Sequence, residues 1–121
     1  MLREITNVRQ YYHELKRRWF YDPDGLDLLV WVDDENKPVN FQLSINNKTI
    51  TYMNNTFNYS IIDDDRKIAR NMTPILRTPS SNEILTEKDK ERMLIQFEKD
   101  SKDIDTSIKN FLITKLNEYF K

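Results

Sequence analysis

Few side chains in this 121-residue chain are suited to chemistry at neutral pH. His13, beside Glu14, is the only imidazole, the group whose ordinary titration falls closest to neutrality. No nucleophile motif accompanies it. Gly25 is the only glycine, so there is no glycine-rich loop to cradle a phosphate or to form an oxyanion hole. His13 therefore reads as a surface or capping residue. The absence of cysteine excludes disulfides, thiolate catalysis, Cys-based zinc sites and iron–sulfur clusters. A single histidine cannot build a multi-histidine metal site within one chain. The acidic runs Asp33-Asp34-Glu35 and Asp63-Asp64-Asp65 have the clustered carboxylates that hard cations require, but neither has EF-hand spacing. They read as solvated loop acids, and no metal or cofactor is expected.

The basic run Lys16-Arg17-Arg18, flanked by Tyr12 and Trp19, has the composition of a phosphate-contacting, base-stacking patch. On a strand, however, successive side chains point to opposite faces, so the run is not one patch. The formal net charge of −1 also lacks the basic excess of a nucleic-acid binder, and a nucleic-acid partner is not expected.

The elements that must position these groups follow from alternation. In the segment 26–32, Leu26, Leu28, Val30 and Val32 are aliphatic at every second position, and in the segment 39–45 Val39, Phe41, Leu43 and Ile45 are apolar in the same way. A loop at Asp34-Glu35-Asn36-Lys37 pairs Val32 with Val39, Val30 with Phe41 and Leu28 with Leu43, keeping one face apolar. Asparagine is the best non-glycine residue for positive φ, and the pairs Asn46-Asn47 and Asn54-Asn55 read as two-residue hairpin turns. They set Leu43 opposite Ile50, Phe41 opposite Tyr52, Tyr52 opposite Phe57 and Ile50 opposite Tyr59. A turn at Asp22-Pro23-Asp24-Gly25 brings Tyr21 to Leu26 and Trp19 to Leu28.

A sheet with one apolar face must be covered. Thr86-Glu87-Lys88-Asp89 resembles a capping box, followed by Met93, Leu94 and Phe97 at helical spacing. Asp105 or Thr106 can cap a second stripe formed by Ile108, Phe111, Leu112, Leu116 and Tyr119. The spacing of Leu2, Ile5, Val8, Tyr12 and Leu15 predicts a helix before the first strand. The segment 66–82, with Thr73-Pro74 and Thr78-Pro79, reads as a connection crossing from the sheet edge to the helices. The expected fold is therefore α+β: an antiparallel meander of about five strands packed on C-terminal helices. One domain over residues 1–121 is expected, with the sheet at about 15–63, the connection at 64–83 and the helices at about 84–120.

In this register the second sheet face carries Arg18, Phe20, Asp27, Leu29, Trp31, Gln42, Thr51 and Asn58. Phe20, Leu29 and Trp31 are out of place on a polar surface. Either the N-terminal segment covers them, or they anchor a partner, with Arg18 and Asp27 as charged neighbours and Gln42 as donor and acceptor. Two functions follow: a non-catalytic binding module, or a small metal-independent enzyme with a polar site at Arg18, Asp27 and Gln42. A nucleic-acid-associated regulator is a third. A protein or small-molecule partner is expected, and not a membrane.

The blocks Arg17-Arg18-Trp19-Phe20, Asp27-Leu28-Leu29-Val30-Trp31 and Asn40-Phe41-Gln42-Leu43 resemble a family of short bacterial proteins without an assigned function, patterned RRWF, DLxVW and GFQL. Met72-Thr73-Pro74-Ile75-Leu76 is similar to a second, weaker block. The resemblance spans roughly half of the chain. Asn40 stands where the family has Gly, and Ser44-Ile45 where it often has Cys-Tyr, so a thiol role does not carry over. The resemblance implies a bacterial, cytoplasmic protein and brings no reaction. The N-terminus has no apolar signal-like run, which agrees with a cytoplasmic location.

Overall fold

The computed structural model describes residues 1–5, 15–23, 25–62 and 76–121. They form an α+β fold: an antiparallel sheet in chain order, followed by two helices. The strands are β1 (Arg3–Ile5), β2 (Lys16–Asp22), β3 (Leu26–Val32), β4 (Pro38–Ile45), β5 (Lys48–Met53), β6 (Thr56–Ile62) and β7 (Leu76–Arg77). The helices are α1 (Glu87–Asp100) and α2 (Thr106–Phe120). The meander thus has seven strands where about five are expected, the additional ones being the short edges β1 and β7. The predicted N-terminal helix is corrected at Arg3–Ile5, which pair with β2 as a strand. Residues 6–14, including His13, lie outside the described residues, as do Asp63-Asp64-Asp65 and most of the connection.

Turn chemistry sets most of the register. Asn46 (φ 59°), Asn54 (φ 51°) and Asn55 (φ 63°) occupy the left-handed region in the two expected tight turns, and Asn36 (φ 64°) does so in the β3–β4 loop. Leu28–Leu43, Val30–Phe41, Leu43–Ile50, Phe41–Tyr52, Ile50–Tyr59 and Tyr52–Phe57 are cross-strand pairs, as the alternation predicts.

Two pairings differ from expectation. Val32 lies opposite Pro38, not Val39, because a bulge interrupts the β3–β4 register beyond the Trp31–Asn40 pair. The extra residue, Val39, is 38 % exposed, while Asn40, on the face with Trp31, is buried. The larger correction is at the first hairpin. Asp22 itself pairs with Leu26, Phe20 with Leu28 and Trp19 with Leu29, one residue away from the Tyr21–Leu26 and Trp19–Leu28 pairs predicted. A one-residue slip moves every side chain of the strand to the other face. The cause is a tighter turn: the Gly25 amide donates to the Asp22 carbonyl at 3.1 Å, so the ladder closes on Asp22. Gly25 sits at φ 109°, and a Cβ there would lie 2.9 Å from the side-chain oxygen of Asn46. The sole glycine is where both backbone and neighbour demand one.

The core lies between one sheet face and the helices. Phe20, Leu28, Leu43 and Ile50 form a row across the sheet, flanked by Val30 and Phe41. Met93 and Phe97 from α1, with Ile108, Leu112 and Leu116 from α2, complete the same buried cluster. Phe111 meets Phe41 edge-on at 6.2 Å between centroids, and Tyr119 stacks on Phe57 at 4.7 Å. Burial of this apolar face is the main stabilising contribution. The capping box is present: Thr86 Oγ1 accepts from the Asp89 amide at 3.0 Å, and Asp89 Oδ2 accepts from the Thr86 amide at 3.1 Å. Those bonds hold the Asp89 carboxyl below its ordinary range.

Candidate functional site

The corrected register assigns each polar side chain to a face. Arg18 and Phe20 lie on the helix-facing side, beside Val30 and Leu28. Phe20 is 2 % exposed and belongs to the core. Arg18 is a clamp: its Nε and Nη2 donate to the two carboxylate oxygens of Glu4 at 2.8 and 2.7 Å. Its Nη1 donates to Asp105 Oδ2 at 2.7 Å, and the guanidinium lies 5.2 Å from the Phe20 ring centroid. One cation thereby ties β1 and β2 to the start of α2. Asp105 precedes that helix without bonding its amides through its side chain, because its carboxylate is engaged by Arg18. These acids push the guanidinium's pKa upward, so it stays charged.

A polar cleft of about 440 Å³ opens beside this clamp, lined by Glu4, Lys16, Arg18, Val32, Asp33, Asp34 and Asn36. Within its lining, Arg18 is bonded to Glu4 and reaches Asn36 Oδ1 at 3.4 Å. Asp33 Oδ1 accepts from the amides of Glu35 and Lys37 at 2.9 Å each, so this acid closes the β3–β4 loop. Among the described residues no group of three or more His, Asp or Glu side chains is arranged to hold a metal ion.

The opposite face carries a different set. Its rows read Tyr21–Asp27–Ser44–Thr49–Ser60, then Trp19–Leu29–Gln42–Thr51–Asn58, then Arg17–Trp31–Asn40. Ser44, Thr49 and Ser60 are buried, and the Ser44 and Thr49 hydroxyls are 2.8 Å apart. Asp27, Leu29, Trp31 and Gln42 are half-buried and lie together, as predicted; the sheet separates them from Arg18 and Phe20. Trp19 and Tyr21 replace those two on this face. Sequence reasoning missed them because three consecutive aromatic residues, Trp19-Phe20-Tyr21, carry no alternation, so only the turn length decides which way each points.

Asp27 is the distinctive group here. Its Oδ1 accepts the indole N–H of Trp19, while Tyr21 is its cross-strand neighbour. Among the described residues no basic side chain pairs with it. Burial therefore pushes its pKa up from the ordinary carboxylate value, and the Trp19 bond offsets only part of that rise. The Trp19 and Tyr21 rings stand edge to face, 6.5 Å between centroids and 72° between planes.

No family model, curated protein or solved structure matches the chain in comparisons with known proteins. Among the described residues no helix is long and apolar enough to cross a membrane. The site must be read from its own geometry.

Proposed function

We propose that this chain is a non-catalytic binding module whose working surface is the sheet face turned away from the helices, centred on Trp19, Asp27, Leu29, Trp31 and Gln42. The observation that carries this reading is the desolvated carboxylate of Asp27, set among aromatic rings with no basic partner among the described residues. Burying an uncompensated carboxylate costs stability, and groups perturbed in this way concentrate where a protein meets its ligand. Leu29 and Trp31 add apolar area, and Gln42 adds a donor and an acceptor, the mixture found in recognition surfaces. A polar catalytic site joining Arg18 to Asp27 and Gln42 has little support, since the clamp and the carboxylate lie on opposite faces.

Protein-observed NMR with a library of small fragments tests this reading. Shift changes should cluster on the side chains of Trp19, Leu29, Trp31 and Gln42. Clustering in the cleft beside Arg18, or on the outer surfaces of α1 and α2, would count against it.

A further inference from the structure

We infer that the α-amino group of Met1 is a modification-sensitive latch: as an ammonium it locks β1 into the sheet, and an Nα-acyl group, formyl or acetyl, releases that strand. The inference is independent of the binding-face reading, and three observations carry it.

The first is the pair of acids that receives the amine. The Met1 ammonium donates to Asp22 Oδ2 and lies 3.7 Å from Asp100 Oδ1. Asp22 ends β2 and Asp100 ends α1, and they are only 2 % and 6 % exposed. An acid in the last turn of a helix is opposed by the macrodipole, so Asp100 gains more than most from a cation. Removing the cation from a buried ion pair leaves uncompensated charge, here two carboxylates close together.

The second is how firmly the amine is placed. Leu2 is 2 % exposed within the core, and its amide donates to the Asp100 carbonyl at 2.8 Å. The α-nitrogen cannot swing away from the acids without drawing Leu2 out of the core. An acyl group, left from translation as formyl or transferred from an acetyl thioester with loss of an amine proton, turns this nitrogen into a neutral amide. That amide keeps one N–H, and its carbonyl oxygen brings a further acceptor up to the acids.

The third is that little else holds the strand. β1 has three residues, paired, among the described residues, with β2 alone: Arg3 with Tyr21, Glu4 with Phe20 and Ile5 with Trp19. Arg3 and Glu4 are exposed, and the Glu4–Arg18 bonds lie at the surface. Short exposed segments of this kind open at the low end of a fold's stability range. Loss of the ammonium would therefore free β1, part Glu4 from Arg18 and leave β2 as the open edge of the sheet.

The test compares the full chain with its α-amine free and Nα-acetylated, in the original sequence and in Asp22→Asn. Thermal melts at neutral pH and amide hydrogen exchange are the readouts. Acetylation should lower the Tm of the original by about 5–10 °C. It should speed exchange of the β1 amides, and of the β2 amides facing them, by about tenfold or more, while β4 and β5 keep their protection. Asp22→Asn removes one of the two charges the ammonium serves, so acetylation should cost it less than half as much. Asp100→Asn serves the same comparison should Asp22→Asn not fold. Equal Tm of the free and acetylated chains, an undiminished loss in the variant, or faster exchange spread evenly over the sheet would each overturn the inference.

Discussion

Arg18 and Asp27 sit on neighbouring strands of one sheet, and their surroundings are opposite in kind. Arg18 faces the helices with both carboxylate oxygens of Glu4, a carboxylate oxygen of Asp105 and the ring of Phe20 around it. Asp27 faces the other way and, among the described residues, has a single indole N–H. A charge bonded to acids on two other elements holds parts of a fold together. A carboxylate left short of donors at a half-buried position is a cost that folding alone does not repay. The same sheet therefore holds one charge satisfied internally and, on its other face, one that the described residues leave short of donors.

The largest expected effect lies on the structural face. Phe20 is 2 % exposed and packs in the row with Leu28 and Leu43. Phe20→Ala should cost about 3–5 kcal/mol in urea melts, the range for truncating a buried aromatic. Trp19→Ala, on the other face, should cost distinctly less. If the two were reversed, the first hairpin would have the register that a four-residue turn sets, and the comparison of faces would collapse.

Arg18→Gln comes next. It leaves Glu4 and Asp105 without their cation, but both acids are 40 % or more exposed and can return to water. The loss should be about 1–2 kcal/mol and should shrink in high salt. A salt-independent loss would mean that packing on Phe20, not charge, is what Arg18 contributes.

How far these faces could be read from sequence depends on the strand. The β3, β4 and β5 pairings come from strict alternation combined with asparagine turns, two independent signals that agree. The helices announce themselves through the Thr86–Asp89 box and the apolar stripe ending at Leu116 and Tyr119. Strand β2 has neither signal: Trp19, Phe20 and Tyr21 are all suited to a core, so its register hangs on one turn, and the turn closed one residue tighter than expected. The bulge at Val39 is hidden because an aliphatic residue continues the pattern it interrupts. Strands of three and two residues, such as β1 and β7, are too short to show a period. On the face away from the helices, the placement of Asp27, Leu29, Trp31 and Gln42 was legible because β3 and β4 were; that of Trp19 and Tyr21 was lost with the register of β2.

A smaller effect is expected at Trp31, which is half-buried on the face away from the helices. Trp31→Ala should cost under about 2 kcal/mol, less than a core aromatic. A loss as large as that of Phe20→Ala would show that Trp31 is core and that this part of the face is closed to a partner.

The smallest effect bears most directly on the central claim, that Asp27 is a carboxylate the fold leaves uncompensated. Because its folded-state pKa is raised by burial, its favourable contribution is present at acid pH, where it is protonated, and is lost as pH rises through that pKa. Asp27→Asn cannot ionise and still offers Trp19 an acceptor. Urea-unfolding free energies of the two proteins, measured from acid to neutral pH, should nearly coincide in acid and diverge as pH rises, with Asp27→Asn the more stable at neutrality. A variant less stable than the original at neutral pH, with the gap closing in acid, would show that Asp27 is held by a cation and belongs to the structural side of the comparison.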